Sequence, residues 1–89
     1  MKTIHKYELV IDDRTEVRMP QGAEVLSVQC QYDKPCVWAM VDTEQPMQAH
    51  RFVVRGTGHP LTGAEGTFLA TVQMRGGGLV FHVFEERQS

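Results

Sequence analysis

Apolar and polar side chains alternate with a period of two through most of this 89-residue chain, in seven short stretches cut apart by Gly, Pro and Asp. None of these stretches carries the three-four spacing of an amphipathic helix. Alternate side chains of an extended backbone point to opposite faces, so such a chain can only bury its apolar halves between two layers. The pattern therefore predicts an all-β fold: a small antiparallel β-sandwich or partly open β-barrel of about seven strands, forming a single β domain over residues 1–89. At this length about 60 to 65 per cent of the unfolded surface is buried, and the margin of stability is correspondingly small.

The segments follow in order. Thr3–Ile11 sets Tyr7, Leu9 and Ile11 against Lys6 and Glu8, and Thr15, Val17 and Met19 alternate with Glu16 and Arg18. Asp12 and Asp13 between them supply turn chemistry, which predicts a first hairpin. Val25–Tyr32 and Cys36–Asp42 predict a second, turning at Asp33–Pro35. The arm from Cys36 to Val41 is apolar on both faces, as expected of a central strand covered on two sides with Trp38 in the core. Thr43–Gln48 reads as an exposed loop. His50–Gly56 places Phe52 and Val54 opposite Arg51, Val53 and Arg55. Thr67–Met74, with Phe68, Ala70, Val72 and Met74 on one face, pairs with Leu79–Glu85 through Gly76–Gly78 as a third hairpin. Residues 85–89 are charged and expected to fray.

Charge excludes some classes of function. The formal net charge of -2 and pI of about 6.0 provide no field that would draw the chain onto a phosphate backbone. The apolar run Val37–Val41 is far short of the roughly 20 residues that span a bilayer, and Met1–Ile4 is not a targeting signal, so a cytoplasmic location is expected. Cys30 and Cys36 flank the second turn without opposing each other in either plausible register, which predicts reduced thiols. Their spacing has no second ligand pair, so no metal site is expected, and no motif implies a cofactor.

Between Gly56 and Gly66 lie four glycines and a proline in eleven residues, the longest loop of the chain. Its first part, Gly56-Thr57-Gly58-His59-Pro60, could converge backbone amides into an anion-binding nest, with Thr57 and His59 adding a hydroxyl and an imidazole. The plainer alternative is a turn whose glycines meet positive φ. His82 shares a face with Val80 and Phe84, where its ring nitrogens need partners; it reads either as a pocket residue or as a structural histidine bonded across the sheet. If His59 and His82 met in one cleft they could act as acid and base in a small hydrolase or isomerase. Lys6, Arg51, Arg55 and Arg75 could pair an anionic ligand or an acidic partner surface, or merely line wet strand faces. Single-strand nucleic-acid binding would need exposed aromatics beside basic residues, with only Tyr7, Tyr32 and Trp38 to serve.

Lys6-Tyr7, Ser27-Val28-Gln29, Pro35–Asp42, the GTGHP motif at residues 56–60 and the VFHVFE motif at residues 80–85 resemble a family of small uncharacterised proteins of phage and bacterial genomes, a domain of unknown function. The similarity spans essentially the whole chain. It implies a phage-linked accessory protein that engages a host component. These readings combine into one expectation: a non-catalytic binding module, a possible homodimer through its sheet edges, with Gly56, Thr57, Gly58, His59 and His82 contacting a protein partner or a small anionic ligand.

Overall fold

The computed structural model describes residues 1–87. Seven strands are present: β1 (Lys2–Glu8), β2 (Arg14–Pro20), β3 (Glu24–Gln31), β4 (Lys34–Asp42), β5 (Met47–Gly56), β6 (Thr67–Met74) and β7 (Leu79–Glu85). They form two antiparallel sheets, a three-stranded one in the order β1-β4-β3 and a four-stranded one in the order β2-β5-β7-β6. The sheets stack as a sandwich and do not close into a barrel, approaching most closely where β3 runs beside β6. The edge strands are β1 and β3 of one sheet and β2 and β6 of the other; β3 and β6 lie beside each other, which leaves the β1 and β2 edges without a neighbouring strand. Among the described residues no helix is long and apolar enough to cross a membrane.

The inward faces follow the alternation of the sequence. Val37, Ala39 and Val41 of β4 meet Met19, Phe52, Val54 and Val83 of the opposite sheet, all essentially without solvent contact. Burying each large apolar side chain contributes about 1.5 to 3 kcal/mol, the main term opposing chain entropy. Arg14, Glu16 and Arg18 of β2 point outward, pairing in register with Val53, Arg51 and Ala49.

The expected first hairpin does not exist. β1 pairs with β4 in one sheet and β2 with β5 in the other, so Leu9–Asp13 is a crossing between layers. Leu9 is buried within it, and its N–H donates to the carbonyl of Pro35 at 2.8 Å, which pins the strap to the three-stranded sheet. The second hairpin is real, but it turns one residue earlier than expected. Gln31 pairs with Lys34, leaving Tyr32 and Asp33 as the two central residues, both at positive φ (52° and 60°). That is the backbone of a type I′ turn, whose twist matches the flanking strands. Cys30 then pairs with Pro35 and Cys36 with Gln29, so the two thiols face opposite sides of the sheet, and both are free. Burial pushes the Cys30 thiol up from its usual range, aided by Asp33, which keeps it protonated.

Two bulges break the period of two. One lies between Val25 and Ser27 in β3 and turns Leu26 outward. The other, between Phe68 and Ala70 in β6, puts Phe68 on the outer face opposite Phe84, while Ala70 points in opposite Val83. Phe68 is accordingly 54% exposed, against the expectation that it shares a face with Val72 and Met74. Trp38 is also corrected: it lies on the outer face of the three-stranded sheet between Lys6 and Ser27, half-buried and outside the core. β4 is central, as expected, but only one of its faces is covered by the second layer. At the C-terminus Glu85 ends β7 and the N–H of Glu86 donates to the carbonyl of Arg51 at 2.8 Å, so the expected fraying does not reach these residues. Residues 88–89 lie outside the described residues.

Candidate functional site

β5 ends at Gly56, and the chain leaves the sheet there into the loop that runs to Gly66. The His59 ring lies across the α-carbon of Gly56, on the side toward which Phe52 and Val54 point. A Cβ at Gly56 would come within 2.9 Å of the ring carbon Cε1. The N–H of His59 donates to the carbonyl of Gly56 (3.1 Å), and that of Thr57 to the carbonyl of Val80 (3.4 Å). Both amides are thus engaged with backbone carbonyls, and they do not converge on an external anion.

An anion-binding pair of amides exists a few residues further on, where the chain fills it itself. The carboxylate of Glu65 accepts the N–H of Thr62 at 2.7 Å, the N–H of Gly63 at 2.9 Å and the Thr62 hydroxyl at 3.1 Å. Arg55 Nε stands 3.4 Å from the same carboxylate. The bond from the Thr62 amide, reinforced by the other donors, holds Glu65 down to a pKa of about 2 against the cost of its burial. Gly63, at φ +89°, supplies the left-handed geometry that lets the second amide turn inward. No carboxylate in the sequence reading carried this role. The signal that could have found it is a lone acid in a loop where glycines free the amides.

His82 belongs to the outer face of the four-stranded sheet, in register with Arg55 and Thr71. Its Nε2 is 2.8 Å from the Thr57 hydroxyl and its Nδ1 2.9 Å from the Thr71 hydroxyl. A ring held at both nitrogens ties the start of the loop to β6. His59 packs on the inward side of Gly56 and His82 lies on the outward side of the neighbouring strand, so the two imidazoles are on opposite sides of one sheet and line no common cleft.

His59 stands between two depressions. The larger, about 440 Å³, is lined by Gly56, Thr57, His59, Leu79, Val80 and Phe81; the smaller, about 290 Å³, lies toward Ile11–Asp13 and Val54. Gly58, His59, Pro60 and Leu61 are all exposed at the tip above them.

The sequence reading missed one buried polar pair. His50 is 3% exposed, and its Nδ1 lies 3.3 Å from the carboxylate of Glu85. Its Nε2 has no hydrogen-bond partner among the described residues. The inward parity of His50 was visible, since it alternates with Phe52 and Val54; its partner 35 residues away was not.

The basic residues considered for ligand contact are largely committed within the chain. Arg55 serves Glu65 and the Asp13 carbonyl, Arg51 pairs with Glu16 at 3.5 Å, and Lys6 donates to Gln31 at 2.7 Å. On the outer face of the four-stranded sheet the exposed Phe68 packs edge to face on the half-buried Phe84 at 5.6 Å between ring centroids, and Arg14 and Arg51 of the same sheet are paired with Glu86 and Glu16. Among the described residues no group of three or more His, Cys, Asp or Glu could hold a metal ion.

A family model for a domain of unknown function, DUF7352, matches residues 1–89, and the chain belongs to that family. No curated protein and no solved structure matches it.

Proposed function

We propose that this member of the DUF7352 family is a non-catalytic interaction module, and that the Gly56–Gly66 loop and the apolar cleft beside it receive a protein partner. The observation that carries the reading is a loop held rigid at its base and exposed at its tip. Glu65 fastens the far end, the Thr57–His82–Thr71 chain fastens the near end, and His59, Pro60 and Leu61 project beside Leu79 and Phe81. A preordered loop on a rigid sheet loses little entropy on binding. The cleft suits an apolar side chain, and the His59 imidazole can meet an acceptor at its rim.

A small anion is favoured less, because the loop amides and Arg55 already serve carbonyls and Glu65. Acid-base catalysis by His59 and His82 would require the two rings to meet. The likeness of the GTGHP and VFHVFE motifs to small phage and bacterial proteins suggests a host-cell protein as the partner. The two free thiols suit a reducing cytoplasm.

Affinity capture from a bacterial host lysate, comparing the native chain with a His59→Ala, Leu61→Ser double variant of unchanged circular dichroism, tests the reading. A protein held by the native chain and released by the variant is expected. Equal capture by both, or a retained metabolite with no protein, would overturn it.

A further inference from the structure

The outer face of the three-stranded sheet carries an apolar patch across all three strands. Ile4 of β1 is 57% exposed, Met40 of β4 36% and Leu26 of β3 49%, with the half-buried Trp38 between them. Leu26 points out because the β3 bulge sets both it and Ser27 opposite Trp38. A single exposed apolar residue is ordinary, but a contiguous group centred on Trp and Met has the composition of an interface core.

The charges around the patch narrow what can cover it. Glu8 pairs with Lys34 at 3.5 Å, and Asp42 with the N-terminal ammonium at 3.3 Å. Lys6 is hydrogen-bonded to Gln31 without an acidic partner, and the charged ends of Lys2 and Glu24 have no partner among the described residues. The unmatched bases are thus carried by β1, with Lys2 at its margin and the Lys6 ammonium reaching across to Gln31 of β3, and the unmatched acid is on β3.

We propose that this face binds a second copy of the chain, sheet on sheet, about a two-fold axis parallel to β4. That rotation lays β1 of one protomer over β3 of its partner and brings Trp38 and Met40 against their own counterparts. The register Ile4–Met40–Glu24 and Lys6–Trp38–Ser27 then fixes the charges. Glu24 faces the partner's row at Ile4, between Lys2 and Lys6. Each Glu24 so receives the partner's Lys2, and its Lys6 once that ammonium turns from Gln31, twice over by symmetry. Glu8 comes to lie over Gln29, and the β4 charges Lys34 and Asp42, which the axis brings against their own counterparts, are already paired within each protomer to Glu8 and to the N-terminal ammonium. This interface is separate from the loop proposed above to receive a partner protein, and either can exist without the other.

Trp38 is the only tryptophan, so its fluorescence reports on the centre of the interface. Sedimentation velocity across a dilution series should show a dimer, and acrylamide quenching of Trp38 should rise as the dimer dissociates. Met40→Glu should weaken association by at least about tenfold, a change of about 1.4 kcal/mol. Glu24→Lys should weaken it in the same way, and combining it with Lys2→Glu and Lys6→Glu should restore it. Circular dichroism of each variant establishes that the monomer still folds. A chain that stays monomeric throughout the series with constant quenching overturns the proposal. So does a dimer indifferent to Met40→Glu, which would place association at the free β1 or β2 edge.

Discussion

The imidazole of His59 occupies the space where a side chain on Gly56 would begin. Any Cβ at position 56 must displace it, and the neighbour that gives way is the end of an exposed side chain. Gly56→Ala is therefore expected to keep the fold, with a loss of under about 1 kcal/mol, while moving the ring off its seat. In nuclear magnetic resonance spectra the His59 ring signals should shift while those of Phe52 and Val54 stay, and capture of the partner protein should fall.

Gly66 offers the opposite case. It sits at φ +99°, and a Cβ there would meet the backbone of Glu85 and Glu86, with the Cα of Glu86 only 2.7 Å away. Neither neighbour can yield without parting the start of β6 from the end of β7. Gly66→Ala should cost about 3 kcal/mol or more. Gly63→Ala, at φ +89° with open space around it, should cost only about 1 to 2 kcal/mol, the penalty of a left-handed alanine. Urea unfolding of the two variants measures the difference.

Glu65 makes stability depend on acid. Its folded pKa of about 2 lies below the ordinary 4.5, so its contribution is complete above the ordinary value. That contribution drains away as pH falls from about 4.5 through about 2, because the protonated carboxyl no longer accepts the Thr62 and Gly63 amides as a charge. Melting temperatures followed by circular dichroism should fall across that window. In Glu65→Gln they should start lower and fall less, and amide exchange at residues 57–64 should be faster at neutral pH.

Tyr32 is 87% exposed and held at φ 52°, a conformation that costs a large L side chain more than it costs asparagine. Tyr32→Asn should stabilise the chain by about 0.5 to 1 kcal/mol. Asp33, also at positive φ, would not gain from the same treatment, because its carboxylate accepts the N–H of Arg75 at 2.7 Å. Chemical unfolding of Tyr32→Asn and Asp33→Gly should therefore show shifts of opposite sign.

Alternation along the chain revealed the wet side of several strands, and with it the inward places of Met19, Phe52, Val54 and Val72. It could not reveal which strands pair. Asp12 and Asp13 carry the same turn chemistry whether the chain folds back on itself or crosses to another layer, so β1 and β2 read as a hairpin. Nor could it locate the bulges, because one inserted residue leaves the composition unchanged while reversing the faces that follow, as at Phe68. Trp38 misled for a related reason: apolar residues on both faces indicate a strand without charge, and the second cover can be another molecule. At the site, the glycines marked the loop and the turn at His59, and the two candidate partners of His82 were invisible because Thr57 and Thr71 lie 25 and 11 residues away in sequence.

Because β1 and β2 go to different layers, and β3 returns to the first before β5 enters the second, the backbone passes between the two sheets three times before Met47. Neither layer is a continuous piece of chain that could survive as a fragment. Heating should consequently melt both together in a single transition, and a proteolytic cut in the strap at Leu9–Asp13 should loosen the opposite sheet as much as the one it touches.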